Sequence, residues 1–332
     1  MAMKPIASLL VALPLLLGCA TPQQPRQEIP VTLYDAAVFS ADSGKGVTIS
    51  QLAHQLSEMD VIVVGEHHGH QASHLLQARL QAALYSRNPE QALALEPFDL
   101  DHQREVDQYL EGRLGEEELI EDAGAWRNYR ASYRPLMEFA RWHQLPVVAA
   151  NAPDEVVRCV GRKGPGYLDG LPSSVRNRLP AQPFREAPGY RQKFLEVMGS
   201  NGHGSHTQAN RQRLENSYQA QLLRDNTMAD RVLVTLAQDP GHQVLVITGT
   251  FHSEERMGLV GVLEQRRPDL TIAVISPVIL EQPGATPLPA EHAEKGDYLY
   301  FVQPLPEEYR DEQRGKAALM EQFSQARKLD CQ

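Results

Sequence analysis

A short polar cluster, residues 65–74, contains side chains well suited to chemistry. It begins with Gly65 and Glu66, directly behind the apolar run 61–64, and histidines stand at positions 67, 68, 70 and 74. Polar side chains at the carboxyl end of a buried strand project into the crevice where open α/β sheets bind ligands. The pattern therefore predicts a site at the end of this strand.

Other apolar runs also end in polar residues, and together they predict the architecture. These runs are residues 92–95 before Glu96, 147–150 before Asn151, 244–248 before Gly249 and His252, and 271–275 before Ser276. Between them lie helical patterns with apolar residues at three- and four-residue spacing. Strands that alternate with helices predict an α/β fold with a central, mostly parallel sheet flanked by helices. Parallel order places the polar strand ends at one edge of the sheet.

The residues predicted to converge at this edge allow two kinds of chemistry. They are Glu66, His68, Glu96, Asn151 and His252. Two carboxylates and two imidazoles can bind a divalent metal, with Glu66, His68 and His252 as candidate ligands. The same groups can act as general base and general acid on a bound substrate. The pattern alone does not choose between these alternatives.

The beginning of the chain predicts an exported lipoprotein. Lys4 precedes an apolar stretch, residues 6–17, that suits the hydrophobic region of a signal peptide and is too short to span a bilayer. The stretch ends at Cys19 in a pattern that resembles the lipobox of bacterial lipoproteins, where the cysteine receives acyl chains such as palmitate. We therefore assign residues 1–18 to a signal peptide and residues 19–30, rich in proline and glutamine, to a lipidated tether. Under this resemblance, the absence of aspartate after the cysteine favours the outer membrane.

Composition limits the remaining classes. A net charge of -10 argues against a nucleic-acid partner, and 332 residues with 42% hydrophobic content suffice for a full core. We expect residues 31–332 to form one α/β domain. Apart from the anchor cysteine, the chain has Cys159 and Cys331. Because Cys331 is next to the chain end, we expect no disulfide and a free Cys159.

Residues 153–240 contain no predicted strand and form a helical insertion rich in glycine and proline, with a long amphipathic pattern over residues 211–236. Such an insertion beside a crevice at a sheet edge suits a lid or a second binding surface. It contains side chains of the types that ligate haem iron, namely Tyr167, Tyr190, Met198, His203 and His206.

Taken together, these motifs resemble the ChaN-like haem-binding lipoproteins, a branch of the haem-binding-uptake/Tiki superfamily. The resemblance rests on blocks in family order between about residues 33 and 280: Gly65-Glu66-x-His68 with His74, Ala94-Leu95-Glu96-Pro97-Phe98 with Gln103, Trp126, Tyr133-x-Pro135-Leu136, Ala149-Ala150-Asn151-Ala152-Pro153, Gln221-x-x-x-Asp225-x-x-Met228-Ala229 and Gly249-Thr250-Phe251-His252.

The resemblance implies an outer-membrane lipoprotein that receives, stores or passes haem during iron acquisition. It implies ferric haem b bound at a protein surface and, in one mode, two cofacial haems held between the monomers of a homodimer and ligated by tyrosine. Tyr167 is the first candidate ligand and Tyr190 the second, with His203 and His206 as further candidates. A TonB-dependent haem receptor is the partner expected in the membrane.

The wider superfamily implies an alternative function, a metal-dependent hydrolase. Two Gly-x-x-His elements and a glutamate characterise that centre, and this chain has both elements, Gly65 to His68 and Gly249 to His252. Glu66 and Glu96 are then the candidate ligands or general base. The insertion distinguishes the haem-binding function from this alternative.

Overall fold

The computed structural model describes residues 29–200, 207–326 and 331. Within them one sheet contains seven strands: β1 (Ala36–Ser40), β2 (Val61–Glu66), β3 (Gln91–Asp99), β4 (Val147–Asn151), β5 (Gln243–Gly249), β6 (Ile272–Ile279) and β7 (Tyr298–Val302). Their spatial order is β1-β7-β6-β2-β5-β3-β4. Only the pairing of β1 with β7 is antiparallel among the pairings of these strands. The predicted α/β fold with a mostly parallel sheet is confirmed.

Helices cover both faces of the sheet. They are α1 (Ile49–Gln55), α2 (Gln71–Tyr85), α3 (Gln103–Leu110), α4 (Glu116–Asp122), α5 (Tyr129–Ser132), α6 (Arg134–Trp142), α7 (Asp154–Lys163), α8 (Ser173–Arg176), α9 (Tyr190–Ser200), α10 (Gln208–Gln238), α11 (Gly258–Arg266) and α12 (Glu312–Ala326). The described part of residues 153–240 contains α7 to α10 and no strand, as expected. Among the described helices, none combines the length and hydropathy needed to cross a bilayer.

The central strand β2 shows why these apolar runs form buried strands. Successive side chains point to opposite faces, so Ile62 and Val64 join the cluster that includes α2 and α6, whereas Val61 and Val63 join the one that includes α10 and α11. All four are fully buried, and each such side chain stabilises the fold by about 1.5–3 kcal/mol. A parallel strand with helices on both faces therefore needs apolar residues at every position.

The chain changes direction between β2 and β5. After β2 the chain continues through α2 to β3, on one side of this pair, and after β5 it continues through α11 to β6, on the other side. The loops that leave the two neighbouring strands consequently diverge and leave a crevice at their carboxyl ends. Such a topological switch point is the usual ligand site of an open α/β sheet.

A disulfide joins Cys159 of α7 to Cys331, with 5.5 Å between their Cα atoms. The expectation of a free Cys159 is therefore wrong. A cysteine's position near the end of the sequence does not indicate where that residue lies in the fold. Here Cys331 returns to α7, where its Sγ also lies 3.8 Å from the guanidinium of Arg162.

Candidate functional site

A cavity of about 530 Å³ lies at the carboxyl ends of β2 and β5. Its polar base contains Glu66, His67, His68, Gln221 and His252, while α9 and the loop after β5 supply the apolar side chains Phe194, Val197, Met198 and Phe251. Ser217, Gly249 and Thr250 complete the lining. The volume falls within the ordinary range of small-molecule and cofactor sites, about 300–1,000 Å³. The edge of the sheet where a site was predicted therefore contains a cavity with one polar and one apolar side.

Glu66 is a buried hydrogen-bond acceptor at the base of this cavity. The Tyr133 hydroxyl donates to its Oε1 at 2.5 Å, and Nδ1 of His68 lies 2.9 Å from the same oxygen. The Gln77 amide donates to Oε2 at 2.6 Å, and Nδ1 of His74 lies 3.4 Å away from it. Both oxygens are therefore satisfied, and the carboxylate fixes the orientation of the His68 ring.

His68 lines the cavity with its ring held on two sides. Burial lowers the pKa of His68, but the hydrogen bond to Glu66 and the negative charge of Glu96 outweigh this effect, so the pKa is raised. Trp126 packs edge-on against the imidazole, with 4.9 Å between ring centroids. A Cβ at Gly249 would lie only 2.9 Å from Nε2 of His68, so this position needs glycine.

We expect Glu66→Gln to lower the pKa of His68 and to cost about 1.5–3 kcal/mol of stability, the value of a hydrogen bond to a charged group. The variant removes the charge that favours the imidazolium and leaves the burial that opposes it. Titration of the His68 ring by NMR, together with urea unfolding, measures both effects. Glu58→Gln, an exposed carboxyl at another place on the surface, serves as the control and leaves both quantities unchanged. An unaltered His68 titration in Glu66→Gln would contradict the contact.

The second carboxylate, Glu96, lies opposite and binds the loop after β5. It accepts hydrogen bonds from the Thr248 hydroxyl at 2.9 Å and the Gly249 amide at 2.6 Å. Its Oε1 is 3.5 Å from Nε2 of His252. Burial acts to raise the pKa of Glu96, but the charge of His252 outweighs it and holds that pKa well below its usual range.

His252 lies between two buried carboxylates. Its Nδ1 is 2.7 Å from Oδ1 of Asp225, on the side away from Glu96. Burial lowers the pKa of His252, but the charges of Asp225 and Glu96 raise it to about 10. Burial raises the pKa of Asp225, and the adjacent imidazole opposes that shift. At neutral pH His252 is therefore a buried imidazolium.

Tyr190 belongs to the same network. Its hydroxyl donates to Oδ2 of Asp225 at 2.9 Å and accepts a hydrogen bond from the Gln221 amide at 3.0 Å. Burial, and then the charge of Asp225, raises the pKa of Tyr190 well above its ordinary value. As a haem ligand, Tyr190 would have to give up this contact with Asp225, so that role stays a prediction.

The other predicted residues lie apart from the cavity lining. Tyr167 lies in a short 3₁₀ helix, residues 165–170, packed against the cluster beside α7, and the Lys163 ammonium is 6.0 Å from its ring centroid. Asn151 ends β4 at the outer edge of the sheet, where its Oδ1 accepts a hydrogen bond from the Ala152 amide. Glu66, His68, Glu96 and His252 therefore lie together as expected, whereas Asn151 ends a parallel strand at the same edge but does not line the cavity. His203, His206 and Cys19 lie outside the described residues.

Two parts of the site contain residues that the sequence analysis noted but did not propose as site residues. His67 lines the cavity, and burial, followed by the charge of His70, lowers its pKa, so its imidazole is neutral at pH 7, which is the form that ligates metals. Gln221 and Asp225 are four residues apart and hence on one face of α10. Polar residues at that spacing on an otherwise buried helix face were the available signal for the network around His252.

A metal centre of protein ligands does not emerge from the described residues. Within them, no three or more His, Cys, Asp or Glu side chains are grouped so that they could hold a metal ion. The oxygens of Glu66 and Glu96 are instead engaged with hydrogen-bond donors. The metal set Glu66, His68 and His252 therefore stays a prediction, as does the hydrolase alternative.

The fold and the cavity define an α/β protein with a cavity at the switch point of its sheet. The family described as "Haem-binding uptake, Tiki superfamily, ChaN" matches residues 52–263, more than half of the sequence, and the chain belongs to this family. The predicted resemblance is thereby confirmed.

Individual relatives are more distant. The solved structure described as cofacial heme binding to ChaN of Campylobacter jejuni is similar at a TM-score of 0.61 and 15% identity, over 81% of this chain and 98% of that one. The structure of an erythromycin esterase mutant is similar at a TM-score of 0.44 and 13% identity, over 74% of this chain and 77% of that one. So low a TM-score says nothing about function. Protein RETICULATA-RELATED 5, chloroplastic, from Arabidopsis thaliana is 26% identical to this chain over 247 residues. The matched region is 69% of this chain but only 32% of that protein.

Proposed function

We propose that this protein binds haem in the cavity between the ends of β2 and β5, and that it receives, stores or passes haem during iron acquisition as a lipid-anchored outer-membrane protein. The observation that carries the proposal is the combination, in one cavity, of an apolar side and the imidazoles of His67 and His68. Membership of the haem-binding-uptake family supports the same ligand class.

The apolar side suits the faces of a porphyrin. This side contains Phe194 and Phe251, with 6.1 Å between their ring centroids. Val197 and Met198 line the same side and remain partly exposed. Each square ångström of apolar surface that a ligand removes from water contributes about 25 cal/mol. A flat apolar ligand therefore gains most of its affinity on this side of the cavity.

The opposite side offers nitrogen donors of the kind that haem iron accepts. His67 is the best candidate because its lowered pKa keeps the imidazole neutral. His68 has the carboxylate support typical of metal-bound histidine, since Glu66 holds its Nδ1. The thioether of Met198 lines the same cavity, and histidine with methionine is an established pair of haem ligands. These donors fit haem iron, and ferric haem b is the form we propose.

Hemin titration of the purified protein tests this assignment. We expect a saturable Soret band, and we expect His67→Ala to weaken binding at least tenfold and to shift the band, because an iron–imidazole bond is lost. His54→Ala, which removes an exposed imidazole on α1, is the matched control and leaves binding unchanged.

Separate outcomes distinguish the earlier candidate ligands. If Tyr167→Phe or Tyr190→Phe abolishes the Soret shift while His67→Ala does not, the iron is bound by tyrosine and the His67 assignment fails. If hemin binds no better than to an unrelated acidic protein, the haem function itself is overturned. A doubling of bound haem with dimer formation would extend to this chain the cofacial arrangement described for the Campylobacter jejuni protein.

Export and lipidation at Cys19 form part of the same proposal. They are supported by the apolar leader with its lipobox-like end and, independently, by the Cys159–Cys331 disulfide, because such bonds persist in oxidising compartments such as the bacterial periplasm. In that location a TonB-dependent haem receptor is the partner that would deliver haem. A neighbouring gene for such a receptor would support this role.

A further inference from the structure

We infer that the cavity edge of the domain faces the bilayer that holds the lipid anchor, so that the ligand enters and leaves beside the membrane surface. The inference rests on the proposed lipidation of Cys19. Its partner is a phospholipid surface, and it concerns the orientation of the domain, which haem binding does not determine.

The first described residues leave the domain at the cavity edge. Because β1 runs antiparallel to β7, its amino end lies where the parallel strands have their carboxyl ends. The Gln303 amide, directly after β7, donates a hydrogen bond to the carbonyl of Pro30. The carbonyl of Gln303 in turn lies 2.8 Å from Nε2 of His70, two residues beyond His68. Pro30 is therefore tied through Gln303 to the same loop that lines the cavity.

The length of chain between the anchor and Pro30 limits how the domain can turn. Pro30 is eleven positions after Cys19, and a fully extended chain covers at most about 3.6 Å per position, which gives roughly 40 Å. A domain of about 300 residues is roughly 50 Å across, and the path around its surface from one end to the other is roughly 80 Å. The tether is thus about half the length needed to bring the opposite edge onto the membrane.

Exposed apolar side chains lie near Pro30, where the chain leaves the domain toward Cys19. Val31 is 83% exposed and Tyr34 62% exposed, and Leu305, two residues beyond Gln303, is 44% exposed. Apolar and amphipathic side chains gain free energy by entering the interface between headgroups and acyl chains, where tyrosine is enriched. We assign the surface of Val31, Tyr34 and Leu305 to contact with that interface. A poorly water-soluble ligand could then exchange between the cavity and the membrane with little passage through water.

The two tryptophans of the chain provide reporters at opposite ends. Trp126 packs on His68 at the cavity edge. Trp142 ends α6, which leads back to the amino end of β4, so it lies at the opposite edge, and it is 73% exposed. Each can be isolated by changing the other to phenylalanine, Trp142→Phe or Trp126→Phe. The pair therefore measures which edge lies near a membrane.

The test uses the full lipidated chain in vesicles of phosphatidylethanolamine and phosphatidylglycerol that contain a dansyl-labelled headgroup lipid. We expect energy transfer to the dansyl group to be at least twofold more efficient in Trp142→Phe, which retains Trp126, than in Trp126→Phe. Equal transfer, or stronger transfer from Trp142, would overturn the inference. No haem is present, so this result is independent of hemin binding.

Two further measurements complete the test. Mass spectrometry of the amino terminus shows whether Cys19 is acylated; an unmodified Cys19 overturns both the anchor and this orientation, while the hemin titration still stands by itself. Val31→Asp combined with Leu305→Asp is expected to reduce transfer from Trp126 at unchanged acylation. Gln238→Asp introduces a carboxylate at the opposite edge and should leave transfer unchanged. If Gln238→Asp reduced the energy transfer as much as Val31→Asp combined with Leu305→Asp, a membrane contact at Val31 and Leu305 would be contradicted.

Discussion

Asp225→Asn is expected to lower the free energy of unfolding by about 3–5 kcal/mol at pH 7, the usual cost of breaking a buried ion pair by removing one partner. Asp225 is completely buried and holds Nδ1 of His252 at 2.7 Å and the hydroxyl of Tyr190 at 2.9 Å. The amide of asparagine keeps the shape and removes the charge. His252 is then left with Glu96 as the carboxylate 3.5 Å from its ring.

The pH dependence follows from the raised pKa of His252. The folded-state pKa of about 10 exceeds the ordinary value of 6.5, so the folded protein holds a proton that the unfolded chain releases between these values. This contribution to stability is complete below pH 6.5 and is lost as the pH rises toward 10. Asp225→Asn lowers that pKa, so we expect a smaller loss of stability between pH 7 and pH 9 than in the unaltered protein.

Urea unfolding at pH 7 and pH 9, followed by circular dichroism, measures both effects. Asp230→Asn is the matched control on the same helix, because Asp230 forms a more exposed ion pair with Arg266 at 3.0 Å. Pairs of that kind contribute about 0–1 kcal/mol. If Asp225→Asn costs no more than Asp230→Asn, the buried pair does not stabilise the site.

Cys331→Ser is expected to lower the free energy of unfolding by about 2–5 kcal/mol, which is typical for loss of a native disulfide. The bond joins residues 172 positions apart. Closing so long a loop removes much of the conformational freedom of the unfolded chain, and a chain-entropy treatment places the effect at about 5 kcal/mol. The disulfide also fixes Cys331 against α7, in the insertion that supplies one side of the cavity.

Urea unfolding with and without a thiol reductant checks this expectation. Reductant should lower the midpoint of the unaltered protein and leave that of Cys331→Ser where it is. Cys159→Ser combined with Cys331→Ser should match the single variant, because either change removes the same bond. A reductant-insensitive midpoint in the unaltered protein, without the Cys159–Cys331 peptide in a non-reducing digest, would show that the bond is not formed.

Local pattern was sufficient to predict five of the seven strands, β2 to β6, and the polar residues at their ends. Strands buried on both faces need continuous apolar runs, and this requirement is readable in residues 61–64 and 244–248 without further information. Parallel order then brings Glu66, Glu96 and His252 to one edge. The remaining strands, β1 and β7, were not predicted, because a short apolar run does not by itself indicate which strand it pairs with.

The α/β architecture and the polar character of the sheet edge can be predicted from the sequence, because both follow from periodicity and from the direction of parallel strands. Which side chains line the cavity depends on tertiary packing. Strand order puts β4 at the end of the sheet, where Asn151 does not line the cavity, and the path of the chain brings Cys331 to Cys159. Likewise, the packing of α9 places Met198 in the cavity lining, and the packing of α10 places Asp225 against His252. These contacts join residues distant in the chain, and no local pattern specifies their distances.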